Sequence, residues 1–180
     1  MSLYLSFLFS CTSSSDSMHS VEVNGESRQF LLFEPESANS ESLPVLINLH
    51  GFDGTARGHM EWADMRSLAE EYGFLLVYPQ GADMDGSPHW NSSPLGGDNK
   101  SSTDDFSFFE ELTESLIANH NGDSERVYVG GYSNGGFMSY SLACYHSETY
   151  AAIFAVSSTM TNGFEGDCAP TRPMPVLSVN

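Results

Sequence analysis

The chain has 180 residues, enough for one domain with a sizeable core, and 40% of them are apolar. Six basic residues against 24 acidic ones leave a formal net charge of −18. That balance excludes a nucleic-acid binder, which needs a basic patch for the phosphates, and a protein held electrostatically on anionic lipid. It fits a highly soluble acidic surface, with adaptation to saline surroundings as an alternative.

No run approaches the roughly 18 apolar residues of a membrane span. The N-terminus, "MSLYLSFLFSC", is a short apolar stretch ending in Leu8-Phe9-Ser10-Cys11 and followed by "TSSSDS". It resembles a bacterial lipoprotein signal. Cys11 would carry the lipid, become the new N-terminus and supply the membrane anchor, with the serines as a tether. The expectation is an exported protein, extracellular or an outer-membrane or periplasmic lipoprotein. Residues 1–19 are then signal and tether, and residues 20–180 one folded domain. No Lys or Arg precedes the apolar run, so a disordered tail is the alternative. With Cys11 lipidated, Cys144 and Cys168 remain as an even pair that an oxidising compartment lets bridge; otherwise they are two small buried hydrophobes.

"SVEVNGESRQFLLFEP" reads as a hairpin around Asn24-Gly25, a pair suited to positive φ. Five nearly unbroken apolar runs follow, at 44–50, 73–79, 126–131, 150–156 and 174–180. Such runs are strands buried on both faces, as in a parallel sheet. Between them, 59–72 spaces Met60, Ala63, Leu68 and Tyr72 as one helix. The segment 104–120 aligns Phe108, Leu112 and Leu116, with Asp104 or Asp105 able to cap its start, and 134–146 forms a third helix. The pattern predicts a doubly wound α/β domain with right-handed crossovers. The stretch 80–103 is long, polar and glycine-rich, and reads as a functional loop.

The chemistry centres on "VYVGGYSNGG". Gly131-Tyr132-Ser133-Asn134-Gly135 fits G-x-S-x-G, weak as a bare pattern but placed where a buried strand meets a helix. There a serine on a sharp turn is lifted clear of the sheet as a nucleophile, and small residues two before and two after let the chain close. The Asn134 N–H then faces developing negative charge. A second donor is expected from the loop after an early strand, where "NLHGFDG" offers the Phe52 N–H. His50 precedes the serine, whereas the base of such an enzyme follows it, so His50 reads as a loop-bracing residue.

These motifs, "LHGFDGTARG", "GFLLVYPQG", "HWN", "TDDFSFFEEL", "RVYVGGYSNGGFMSYSLAC" and "YAAIFAV", resemble in order and spacing the secreted polyhydroxybutyrate depolymerase and feruloyl esterase family of α/β-hydrolases. The resemblance runs from about residue 20 to the end. It implies the α/β-hydrolase fold, with a mostly parallel sheet and an N-terminal hairpin. It also implies a serine esterase that uses no metal or cofactor and acts on polyester or on feruloylated polysaccharide. Ser133 matches the nucleophile, Phe52 and Asn134 the oxyanion donors, and Cys144 and Cys168 positions that are cysteine in many members. His50, Trp90 and Asn91 border the cleft as candidate substrate contacts, with packing on the core as the alternative for Trp90. In the family, a strand like "PVLSVN" leads on to the acid and then the histidine of the triad. Here Asn180 is the last residue, so the last strands and helices of the fold are expected to be missing and the chain inactive as it stands. The alternatives are a serine peptidase of the same fold and a non-catalytic, lipid-anchored binding module.

Overall fold

The computed structural model describes residues 16–36, 42–94, 99–160 and 168–180. Cys11 lies outside them. Strand β1 (Ser17–Val23) and strand β2 (Glu26–Phe33) form the expected antiparallel hairpin. Asn24 and Gly25 take positive φ, 52° and 85°, at its turn. β1 begins three residues before the expected domain boundary, with Ser17 paired to Leu32.

The five apolar runs become β3 (Leu43–Leu49), β4 (Leu75–Pro79), β7 (Gly122–Tyr132), β8 (Ala152–Val156) and β9 (Val176–Val179). The seven-stranded sheet has the order β1-β2-β4-β3-β7-β8-β9 and is parallel from β4 onward. Period-2 alternation splits the core across it. Phe30, Leu32, Leu75 and Val77 face one layer, and Leu31, Phe33, Leu76 and Tyr78 face the other. β4 is buried on both faces, which is why it reads as an unbroken apolar run. β9 departs from that reading: as the edge strand it leaves Val176, Leu177 and Val179 exposed.

Helix α3 (Asp105–Asn119) buries Phe108, Leu112 and Leu116 as its spacing requires. Helix α4 (Asn134–Tyr145) packs beside it on the same layer, through Met138 and Leu142. The helix expected over 59–72 is instead two, α1 (Ala56–Trp62) and α2 (Arg66–Tyr72). The break has local causes. The Asp64 carboxylate accepts from the Arg66 N–H at 3.0 Å, and the Tyr78 hydroxyl accepts from the Met65 N–H while donating to the Ala63 carbonyl. These bonds satisfy backbone groups that a continuous helix would pair internally. The expected stripe is therefore lost beyond the break: Ala69 is buried, while Leu68 and Tyr72 are exposed.

Within the stretch read as a loop, β5 (Ala82–Met84) and β6 (Ser87–His89) form a small separate hairpin. Asp85 and Gly86 turn it with φ of 54° and 90°. Among the described residues, no helix is long and apolar enough to cross a membrane.

Candidate active site

β7 delivers the chain to Ser133, and α4 starts at the next residue. Ser133 sits at φ 51°, ψ −114°, a conformation that costs a non-glycine residue on the order of 1–3 kcal/mol and persists only where surroundings impose it. Here they do. The Ser133 N–H donates to the Val156 carbonyl at 2.9 Å, tying the turn to β8. A methyl group on either Gly131 or Gly135 would stand 2.6 Å from the Leu49 carbonyl oxygen, so β3 reaches the turn only because both positions lack a side chain.

The 50–54 loop lies against this turn. A Cβ on Gly51 would be 3.5 Å from the Ser133 Cβ and 3.1 Å from the Tyr132 ring. The Asn134 N–H belongs to the first turn of α4, where backbone donors have no partner within the helix. Among the described residues, the Phe52 N–H has no backbone acceptor. The two segments expected to carry the donors therefore meet at the serine.

A chain of buried hydrogen bonds locks those segments together. The Asn134 side chain clamps the Trp90 backbone: its Oδ1 accepts from the Trp90 N–H at 2.8 Å, and its Nδ2 donates to the Trp90 carbonyl at 3.0 Å. The Trp90 indole N–H donates to the His50 carbonyl at 2.9 Å. His50 Nε2 accepts from the Gly81 N–H, which leaves the proton on Nδ1, and this donates to the Gly51 carbonyl at 2.7 Å. Burial lowers the His50 pKa, so the ring stays neutral.

His50, Trp90 and Asn91 are buried beside the site, and His50 also lines the cleft described below. All three are 2% exposed or less. Trp90 packs beside Phe108 and Phe109, and Asn91 Nδ2 donates to the Ser101 and Thr103 carbonyls. Their side-chain hydrogen bonds brace the frame of the site. Asp105 is not a cap: Asp104 caps α3 by accepting from the Ser107 N–H. Asp105 is buried, pairs with Arg28 at 2.7 Å and accepts from the Asn91 N–H at 2.7 Å. Burial pushes its carboxyl up, against the pull of Arg28 and of that N–H. The sequence reading passed over this pair. Its one signal was an arginine in step with Phe30 and Leu32 on the core face of β2.

Each of the six histidines is engaged elsewhere: His19 with Ser17, His50 with Gly81, His59 with Asn48, His89 with Ser101, His120 with Glu34 and His146 with Glu110. His146 closes the end of α4 opposite to Ser133. Cys144 and Cys168 form a disulfide. Among the described residues, no cluster of His, Cys, Asp and Glu is arranged to hold a metal ion.

An open cleft of about 610 Å³ adjoins the turn, lined by Phe52, Asp53, Thr55, His59, Trp62 and Tyr132 among others. Lys100, the only lysine of the chain, holds its ammonium 4.1 Å from the centre of the Phe52 ring.

A parallel sheet whose fifth strand in spatial order ends in a strained, glycine-flanked serine defines an α/β-hydrolase fold. Residues 28–169 match the model of the family described as Esterase PHB depolymerase, and the chain belongs to that family. It is 31% identical over 127 residues to feruloyl esterase B of Neurospora crassa, covering 71% of this chain and 43% of that protein. It is 28% identical over 142 residues to feruloyl esterase B of Piromyces equi, covering 77% and 25%. The acetyl xylan esterase from Aspergillus awamori superposes with a TM-score of 0.63 at 23% identity, over 78% of this chain and 53% of that one, a likeness of fold. The chain spans less than half the length of these curated relatives.

Proposed function

We propose that the protein is an exported serine carboxylic-ester hydrolase. Ser133 attacks the ester carbonyl, the Phe52 and Asn134 N–H groups hold the oxyanion, and water releases the acyl-enzyme. The observation that carries this reading is Ser133 at φ 51° between β7 and α4, with the Gly51-Phe52 loop against it. A general base and an orienting acid complete such a mechanism. The feruloyl esterases named above point to hydroxycinnamoyl esters of plant polysaccharide, and the family description to polyhydroxyalkanoate. Lipidation of Cys11 would tether the enzyme at the cell surface.

The test is made on the complete gene product. A fluorophosphonate probe labels the wild type at Ser133. Ser133→Ala abolishes labelling and lowers ester hydrolysis by about 10⁴- to 10⁶-fold. Labelling that survives the substitution refutes the assignment.

A further inference from the structure

Trp62 is 67% exposed and Tyr132 38% exposed, and their ring centres lie 5.1 Å apart at an interplanar angle of 59°. Neither is committed to the core. α1 packs through Ala56, His59 and Met60, and Trp62 leaves its last turn on the open side. Tyr132 is bonded to Ser133, so its ring starts one residue from the nucleophile. With Phe52, 44% exposed, the two rings turn one end of the cleft into an aromatic corner. Large exposed aromatics grouped on a highly charged surface mark a binding site. Charge lies at the Phe52 end, where Lys100 holds its ammonium over the ring and Asp53 lines the cleft, and not between Trp62 and Tyr132. His59 is held uncharged, since burial takes its pKa down to about 4, and its Nε2 donates to Asn48 Oδ1.

We infer that Trp62 and Tyr132 form the acyl subsite of the enzyme and select a flat, aromatic acyl group such as a hydroxycinnamoyl chain over a short aliphatic one. A conjugated arene gains stacking on the Trp62 face that an acetyl or hydroxybutyryl group is too small to make. The corner begins at the oxyanion loop and the residue before the nucleophile, so a group carried on the ester carbonyl reaches it directly. This rests on the esterase reading above and narrows its substrate class.

The experiment varies the acyl group at fixed alcohol, using methyl ferulate and methyl butanoate with the complete gene product. Trp62→Ala lowers kcat/KM for methyl ferulate by about 10-fold and changes it for methyl butanoate less than twofold, while Trp62→Phe retains most of the ferulate activity. In parallel, calorimetry on Ser133→Ala protein reads methyl ferulate binding without turnover, and adding Trp62→Ala weakens it by about 10-fold. An equal loss on both esters, or binding that ignores Trp62, overturns the subsite while leaving the esterase reading standing. Binding that depends on Trp62 in a protein that cleaves neither ester leaves the subsite standing and sinks the esterase reading. Because Trp62 is exposed, its removal opens no cavity that could unfold the chain.

Discussion

Ser133 owes its conformation to neighbours more than to itself. Three contacts, the bond to Val156 and the approach of Leu49 to Gly131 and to Gly135, hold a backbone angle that serine disfavours. The pattern G-x-S-x-G was legible because those glycines are spatial necessities written into the sequence. The roles of His50, Trp90 and Asn91 were not. A residue beside a cleft in sequence looks the same whether its polar atoms face substrate or bond the frame, and only the partners decide. His59 gives a prediction at this scale. Its unfolded form takes up a proton below pH 6.5, whereas the folded one resists until about pH 4. The unfolded state therefore binds more protons across that window, so this contribution is complete above pH 6.5 and declines as pH falls. The loss reaches at most about 3 kcal/mol at the lower end. Lower still, the hydrogen bond from Arg66 holds Asp64 down to about 2, which adds a loss of stability below the ordinary carboxylate range. Urea midpoints between pH 7 and 4.5 should fall in the wild type and fall less in His59→Gln. A slope unchanged by that substitution removes His59 as the cause.

Elements were read well where their signals are periodic or sit in one dipeptide. Asn24-Gly25 marked its hairpin, and Asp85-Gly86 carried the same signal inside the 80–103 stretch, hidden by strands of only three residues each. The split between α1 and α2 was out of reach. Helical spacing continues through 63–65, and what breaks it is the Tyr78 hydroxyl arriving from β4. The disulfide is the covalent device at this scale. Cys144 lies in the last turn of α4, and its bond to Cys168 spans 24 positions of sequence up to the segment that leads into β9. Closing a loop of that length stabilises by about 3 kcal/mol on the chain-entropy model. Reductant, or Cys144→Ser with Cys168→Ser, should lower the guanidinium midpoint by a matching amount, and the reductant should have no effect on the double variant. Equal midpoints with and without the bond would show that α4 and β9 need no covalent tie.

The whole molecule has a formal net charge of −18, and three of its six Lys and Arg residues pair with carboxylates: Arg28 with Asp105, Arg66 with Asp64 and Arg126 with Asp123. Repulsion among the remaining acidic groups therefore outweighs attraction at the surface. Raising the salt from about 0.05 to 0.5 M shortens the screening length well below the usual spacing of surface charges. The melting temperature should rise by several degrees; a fall would mean that the surface ion pairs matter more than the net charge. At this scale β9 also stands out, since Leu177 is 65% exposed on the edge strand of the sheet. An apolar edge with unpaired backbone groups is a surface on which further strands pair.

The sequence by itself determined the seven strands of the main sheet, the places of α3 and α4, the turn at Asn24-Gly25 and the serine that follows β7. Each follows from local rules: apolar period, turn dipeptides and the absence of side chains beside a sharp bend. Tertiary structure alone decided that Asn134, Trp90 and His50 form one brace, that Asp105 pairs with Arg28 across 77 positions, and that Trp62 stands open against the Tyr132 ring. Those outcomes depend on which polar group meets which partner once the sheet has closed. Nothing in a residue's immediate neighbours along the chain carries that information.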